Sequence, residues 1–244
     1  MKPLSNQELL QVWEQGLGQH PIRQALLLLR AACPEVSPQA LAELSVGQRD
    51  GYLLTLREWL FGPRLTSRAT CPKCDEPVEL TFDTADIRTT AQLEAKTTLS
   101  INVEGYEVRF RLPNSMDLLT LGSQEDQTAQ PHALLERCII AVEWAGQTQE
   151  LSQLPAPVVA AVIDQMAQVD PQAEVQLALT CPVCTQEWTM MFDVVTYFWE
   201  EINHWAYRTL HEVHLLASAY GWSEADILAL SRWKRQFYLQ LVNG

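Results

Sequence analysis

Two short cysteine motifs are the part of this sequence best equipped for chemistry. Cys71 and Cys74 lie in the segment Thr-Cys-Pro-Lys-Cys, and Cys181 and Cys184 lie in Thr-Cys-Pro-Val-Cys. Cysteine thiolates in C-x-x-C pairs bind Zn²⁺, and two such pairs supply the four ligands of a closed tetrahedral site. The repeat therefore predicts one structural zinc ion held by all four cysteines, with no open coordination position for catalysis.

The sequence around the cysteines extends this internal repeat. Phe82 and Phe192 stand at the same distance after the first cysteine of each pair, and each is followed by aspartate. A strand-like alternation covers residues 78–82 after the first pair and 188–192 after the second, and residues 175–179 form another strand before the second pair. A zinc ribbon requires this arrangement, because each C-x-x-C pair sits at the tip of a β-hairpin.

The distance between the two pairs is unusual. Four-cysteine sites commonly separate their pairs by about 15–20 residues, whereas residues 75–180 intervene here. A structureless loop of that length is improbable in a compact protein. We therefore expect the intervening residues to fold as an inserted subdomain.

A redox function is the alternative interpretation of the cysteines. The C-P-x-C sequence also occurs in disulfide oxidoreductases, where the first cysteine begins a helix and the helix stabilises its thiolate. Here a strand follows each pair and the motif occurs twice, which favours a shared metal. Two separate dithiol pairs, or cysteines with neither role, remain open alternatives.

Periodicity predicts the elements that position the cysteines. Ser5 and Glu8 have the spacing of a capping box, and helices are predicted to Leu17, over residues 22–33 and 38–44, and around residues 53–60. Residues 101–112 predict a β-hairpin around Glu104-Gly105, and residues 121–130 a polar loop. Helices are predicted over residues 133–144, 158–169 and 194–220, followed by short helices to the C-terminus.

These elements indicate an α+β fold, with helical N- and C-terminal regions around a split zinc-ribbon β core. The predicted domain organisation has five parts: a helical region 1–64, a first knuckle hairpin 65–83, an inserted α+β subdomain 84–173, a second knuckle hairpin 174–193, and a helical region 194–244.

The remaining chemistry-bearing residues have simpler explanations. His204, His211 and His214 share one helix but lack the spacing or the partners of a metal motif. Cys33 and Cys138 lie in apolar helices and are expected to be buried thiols. The sequence has no glycine-rich phosphate loop, no G-x-S-x-G and no set of nucleophile, base and orienting residue. We therefore expect no enzymatic activity and no small-molecule substrate.

The charge distribution argues against two further classes of partner, nucleic acids and anionic membrane surfaces. The formal net charge is −13, from 17 basic and 30 acidic residues, and no Lys or Arg occurs between Arg137 and Arg208. Nucleic-acid binding requires basic residues that neutralise phosphates, and anionic membrane surfaces attract the same residues.

No segment is apolar over the roughly 20 residues that span a bilayer. The first residues lack an apolar signal core, so synthesis in the cytosol is expected.

The last quarter of the sequence is rich in aromatic and basic residues, which are enriched at the energetic centres of protein interfaces. The predicted partner-binding residues are Trp222, Arg232, Trp233, Arg235 and Tyr238.

Several stretches together resemble the T-even phage type of baseplate proteins, as found in gene clusters for phage tail-like contractile injection systems. They are residues 60–63 (LFGP) leading to Cys71, 111–117 (RLPNSMD), 169–174 (VDPQAE) leading to Cys181, and 212–224 (EVHLLASAYGWSE). The resemblance covers most of the chain from about residue 55 onward. Zinc knuckles usually carry glycine after the second cysteine, and Asp75 and Thr185 stand there instead.

The resemblance implies a non-enzymatic component of the baseplate hub, or a protein that helps to build it, at the end of a contractile tail. Its implied partners are other baseplate, hub or spike proteins. The resemblance implies synthesis in the bacterial cytoplasm, and a protein retained after assembly would be part of the phage or phage tail-like particle. A transient assembly chaperone that leaves the finished particle is the alternative within this class.

Overall fold

The computed structural model describes residues 1–89, 98–122 and 130–243. The chain divides into two compact units: a helical unit of Met1–Val36 with Val194–Gly244, and a mixed unit of Ser37–Asp193. The mixture of helices and strands confirms the predicted α+β class. The five predicted domain boundaries are a finer division and stay a prediction.

The helices are, in chain order, α1 (Asn6–Gly16), α2 (Pro21–Ala32), α3 (Pro38–Glu43), α4 (Val46–Phe61), α5 (Thr84–Ile87), α6 (Ser115–Leu121), α7 (Gln130–Cys138), α8 (Ala156–Val169), α9 (Val194–Tyr220), α10 (Glu224–Ala229) and α11 (Arg232–Asn243). The strands are β1 (Arg64–Thr70), β2 (Pro77–Asp83), β3 (Leu99–Val103), β4 (Tyr106–Phe110), β5 (Ile139–Trp144), β6 (Gln147–Thr148), β7 (Gln176–Thr180) and β8 (Glu187–Met191).

In the helical unit, the local signals of the sequence are reproduced by the structure. The Ser5 and Glu8 capping box begins α1, and Ser223 caps α10 by accepting a hydrogen bond from the Asp226 N–H. The predicted helix over residues 194–220 is α9. Because these signals act between residues a few positions apart, they do not depend on the tertiary fold.

The helical unit is held together around one face of α9. Phe198, Ile202 and Leu216 are buried there, and the indole N–H of Trp13 on α1 donates to Asn203 Oδ1 at 2.8 Å. A Cβ on Gly16 would lie 2.2 Å from the Trp199 ring, so glycine is required at this contact.

The mixed unit contains an antiparallel sheet with the order β3-β4-β5-β6. The predicted hairpin over residues 101–112 forms β3 and β4, with Glu104 and Gly105 at its turn. Helix α8 contributes Val158 and Val162 to a core with Val108 and Phe110 of β4.

The predicted helix over residues 133–144 is wrong in its second half. The helix ends at Cys138, and Ile139–Trp144 forms β5, which pairs with β4. A run of Ile, Ala and Val suits either structure, and here hydrogen bonding to the neighbouring strand decides the conformation. The predicted loop over residues 121–130 falls largely on positions 123–129, which lie outside the described residues.

Two separate antiparallel hairpins, β1–β2 and β7–β8, complete the mixed unit. Strands β2, β7 and β8 correspond to the predicted stretches. Strand β1 was not predicted, because its residues (RLTSRAT) are mostly polar and only Leu65 and Ala69 are buried.

Candidate metal centre

The four cysteines of the repeat lie in the turns of the two hairpins. The β1–β2 turn carries Cys71 and Cys74, and the β7–β8 turn carries Cys181 and Cys184. Strands β1 and β2 pair in register from Arg64 opposite Asp83 to Thr70 opposite Pro77, which fixes the turn at the cysteines.

The backbone of the two turns is the same. In the first, the Cys71 N–H donates to the Glu76 carbonyl at 2.9 Å, and the Asp75 N–H donates to the Cys71 carbonyl at 3.0 Å. In the second, the Cys181 N–H donates to the Gln186 carbonyl at 2.9 Å, and the Thr185 N–H donates to the Cys181 carbonyl at 3.0 Å. The sequence repeat is therefore a structural repeat.

Asp75 and Thr185 occupy the left-handed backbone region, with φ of 58° and 59°. This is the position at which zinc knuckles usually carry glycine, which adopts positive φ without steric cost. Both turns keep the conformation without glycine, so the substitutions do not displace the cysteines.

The four sulfur atoms converge on one point. Cys71 Sγ lies 3.6 Å from Cys184 Sγ, and Cys74 Sγ lies 3.6 Å from Cys181 Sγ. All four Sγ atoms lie within 4.8 Å of one another. A tetrahedral zinc site with Zn–S bonds of about 2.3 Å separates its sulfurs by about 3.8 Å. The spacing and the ligand type fit a four-coordinate metal ion.

Two sulfur contacts connect the different hairpins, Cys71 with Cys184 and Cys74 with Cys181. Exchanging the hairpins maps the Cys71–Cys184 pair onto the Cys181–Cys74 pair, so the two distances are related by the repeat. A dithiol redox centre needs contact only between the two cysteines of one motif and no contact between the hairpins. The arrangement favours one shared ion over two independent dithiols.

Backbone N–H groups act on the thiolates of the site. Those of Cys184 and Val183 lower the pKa of Cys181 to about 7. A hydrogen bond from the Glu76 N–H also lowers the pKa of Cys74. The neighbouring thiols, that of Cys184 foremost, have a larger combined effect and raise the pKa of Cys74 to about 12. Deprotonating every thiol at such short distances requires a cation, and a bound metal ion provides that charge.

The other two cysteines and the three helix histidines lie apart from the four-cysteine cluster. Cys33 and Cys138 are buried, as expected for small apolar side chains. His204, His211 and His214 lie exposed on α9, and His204 contacts the Glu200 carbonyl through Nδ1 at 2.9 Å. Across residues 1–89, 98–122 and 130–243, the four-cysteine group is the only cluster with metal-site geometry.

The predicted partner-binding residues lie in the helical unit. Trp233 and Arg232 are exposed, and Trp222 and Tyr238 are half-buried with their rings 4.9 Å apart. Arg235 is buried, with its Nε 2.8 Å from Glu212 Oε2. That ion pair holds α11 against α9, so Arg235 is not accessible to a partner.

Sequence reasoning missed two buried charged groups in the mixed unit. Asp117 is buried and binds both Arg111, at 2.6 and 2.8 Å, and Arg137, at 3.0 Å. Asp50 and Arg49 form a buried pair at 2.7 Å. No helical or strand periodicity marks such pairs, although Arg111 and Asp117 belong to one of the stretches that carry the family resemblance.

Among the described helices, none combines the length and apolarity needed to cross a bilayer. Comparison with curated proteins gives no match, and comparison with solved structures gives none either. The family model of the T4 bacteriophage base plate protein matches residues 6–199, which is more than half of the sequence and includes both cysteine pairs. The chain therefore belongs to the T4 bacteriophage base plate protein family.

Proposed function

We propose that this protein is a structural component of the baseplate hub of a contractile phage tail or phage tail-like injection particle. One zinc ion, held by Cys71, Cys74, Cys181 and Cys184, stabilises the mixed unit. The aromatic surface of the C-terminal helices binds other baseplate, hub or spike proteins. The protein carries out no reaction in this role.

The family match supports a structural role in a phage baseplate, and the convergence of the cysteines supports the metal. Cys71 and Cys184 are 113 positions apart in sequence, yet their sulfurs lie 3.6 Å apart. Thiols with no shared role would not be expected to place four sulfurs, from two repeated turns, within 4.8 Å of each other. This convergence is the observation that carries the proposed zinc site.

When bound, the ion supplies a cross-link between the hairpins, because a closed four-cysteine site has no position free for a substrate. The chain's own residues orient the site. The N–H groups of Val183 and Cys184 favour the Cys181 thiolate. Leu65 and Leu179, buried on the strands beneath the turns, hold the hairpins within the mixed unit. The result is a stiff structural element suited to an assembly.

Metal content per chain tests the site. The wild type should contain one zinc ion, and Cys71→Ser and Cys181→Ser should each remove it entirely, because both hairpins share it. Cys33→Ala and Cys138→Ala are matched controls and should keep full occupancy. Half occupancy in either serine variant, or a metal-free wild type with a reversible disulfide within one C-x-x-C pair, would contradict the shared site and favour the redox interpretation.

Composition of the purified particle tests the role in the baseplate. Quantitative mass spectrometry should find the protein at a fixed copy number per tail, and purified hub and spike proteins should co-assemble with it. Absence from finished particles, with retention in assembly intermediates, would identify a chaperone instead. Failure to co-assemble with any hub or spike protein would exclude the hub assignment.

A further inference from the structure

The helical unit presents an unpartnered apolar surface on its last helix. Trp233, Phe237 and Leu241 recur every four residues along α11 and are 75%, 46% and 59% exposed. We call these three residues the α11 stripe. At 1.5 Å per residue it runs for about 12 Å along the helix. Large apolar side chains aligned in this way mark interaction surfaces.

Aromatic contacts make the stripe rigid. The rings of Trp233 and Phe237 stack with centroids 5.8 Å apart, and Phe237 packs against Tyr238 at 5.9 Å. Tyr238 in turn contacts Tyr220 and Trp222. Ordered aromatic side chains lose little conformational entropy on binding, so such a surface is preorganised for a partner.

The charge around the stripe is opposite to that of the whole protein. Helix α11 (RWKRQFYLQLVN) contains no carboxylate, although the chain has a net charge of −13. Arg232 and Lys234 flank Trp233 and are exposed. The third cation, Arg235, is already paired with Glu212. The stripe therefore suits a partner that is both apolar and acidic.

The mixed unit contains an apolar groove of about 520 Å³. Its walls include Leu118, Leu135, Ile163, Met166 and Met191, and we call it the α8 groove. Ile163 and Met191 are 50% and 56% exposed. Its volume lies within the range of roughly 300–1,000 Å³ that binding pockets occupy.

The α8 groove is acidic where it is charged. Asp170 and Glu174 line it, and its described lining contains no Lys, Arg or His. Asp170 is buried, which raises the pKa of its carboxyl, whereas hydrogen bonds from the Gly47 N–H, at 3.0 Å, and from the Ser45 side chain favour the charged form. A groove whose charged lining residues are carboxylates favours a ligand that carries positive charge.

We propose that the α11 stripe of one copy docks into the α8 groove of a second copy. The two surfaces are complementary, since one is apolar and basic and the other apolar and acidic. Copies with a charge of −13 repel one another, so a surface without carboxylates, such as that of α11, is suited to self-association. The interface joins different surfaces, so every subunit offers one stripe and one groove. Such contacts build rings or filaments.

The inference extends the partner surface proposed above to a second copy of the same chain. Sedimentation velocity of the full-length protein over a concentration series tests it. The wild type should associate beyond a dimer. The stripe variant Trp233→Glu/Phe237→Glu and the groove variant Ile163→Glu should each sediment as monomers, because each lacks one of the two required surfaces.

Matched controls and complementation make the test specific. Leu17→Glu in the helical unit and Ile140→Glu in the mixed unit replace comparably exposed apolar residues (48% and 52%) and should associate like the wild type. Mixing the stripe variant with the groove variant should restore a 1:1 complex, since one intact stripe and one intact groove remain. Circular dichroism should show all variants folded.

Three outcomes would overturn the inference: a monomeric wild type, self-association that persists in either variant, or a mixture that stays monomeric. Lys234→Glu should also weaken association while Lys234→Arg preserves it, and equal association of the two would exclude the proposed charge complementarity. The experiment uses the purified chain alone, whereas the baseplate role is tested by particle composition, so the two can fail separately.

Discussion

Phe82 and Phe192 stand at equivalent positions of the two cysteine hairpins, and their rings pack edge to face with centroids 5.4 Å apart. Phe192 is buried, and Phe82 is half-buried. The residues that the sequence repeat relates to each other are thus in direct contact. This contact joins the two hairpins at a point away from the sulfur cluster.

A double-mutant cycle measures this contact. Edge-to-face aromatic pairs contribute about 0.5–1.5 kcal/mol beyond the area that they bury. We expect the effects of Phe82→Leu and Phe192→Leu on the free energy of unfolding to be non-additive by about 1 kcal/mol. Chemical denaturation of the metal-loaded protein gives this value. Additive effects would mean that the rings stabilise the hairpins independently.

The left-handed residues of the two turns predict stabilising substitutions. A non-glycine residue with positive φ costs about 1–2 kcal/mol, less for aspartate and more for a β-branched side chain. Thr185→Gly should therefore raise the free energy of unfolding by about 1 kcal/mol, and Asp75→Gly by less. Thr189→Gly in β8 is the control and should destabilise the protein, because glycine weakens a strand. Chemical denaturation should rank the three variants in that order.

The buried Asp50 carboxyl predicts a pH dependence. Burial raises its pKa to about 6, although Arg49 favours its charged form, and the carboxylates of Asp193 and Asp170 add to the rise. Between about pH 4 and pH 6 the folded protein binds a proton that the unfolded chain has released. The contribution of Asp50 protonation to the free energy of unfolding is therefore complete below about pH 4 and is lost as the pH rises through 6.

Unfolding titrations of the wild type and Asp50→Asn measure this effect. Relative to the variant, the wild type should lose up to about 3 kcal/mol of unfolding free energy from pH 4 to pH 7. Asp164→Asn, at an exposed site on α8, should leave the wild-type pH profile unchanged. A wild type that gains stability relative to Asp50→Asn over this range would contradict the assignment.

The Asp117 carboxylate predicts a large mutational effect. Despite burial, hydrogen bonds from Arg111 foremost lower the pKa of Asp117, so it is charged and pairs with two arginines. Asp117→Ala leaves both guanidinium groups without their partner and should destabilise the protein by about 3 kcal/mol. Glu79→Ala removes the exposed pair with Arg68 at 3.7 Å and should cost less than about 1 kcal/mol. Thermal denaturation distinguishes the two cases.

Much of the candidate site could be predicted from the sequence. The repeated C-P-x-C motif identified the four cysteines, and the strands after each pair indicated hairpins. Strand β1 was missed because its polar residues carry little alternation. The helix predicted through residue 144 failed because β5 is specified by pairing with β4, a contact between segments about 30 positions apart.

The C-terminal surface shows the same limit. Residue type alone selected Trp222, Trp233 and Tyr238 as candidate partner-binding residues, and it also selected Arg235, which the fold buries against Glu212. Phe237 was not selected, although it joins the exposed stripe beside Trp233. Composition indicates which residues suit an interface, whereas exposure depends on which face of α11 packs against α9.

The sequence by itself determined the helix caps, the turns, most of the strands, the repeat and the identity of the candidate ligands. These depend on interactions between residues close together in the chain and on the chemistry of each side chain. Only the tertiary structure decided that sulfurs 113 positions apart converge, that Asp117 meets two arginines, and that the stripe and the groove stay exposed. Contacts between distant segments leave no local periodicity, because they are selected by the packing of the whole unit.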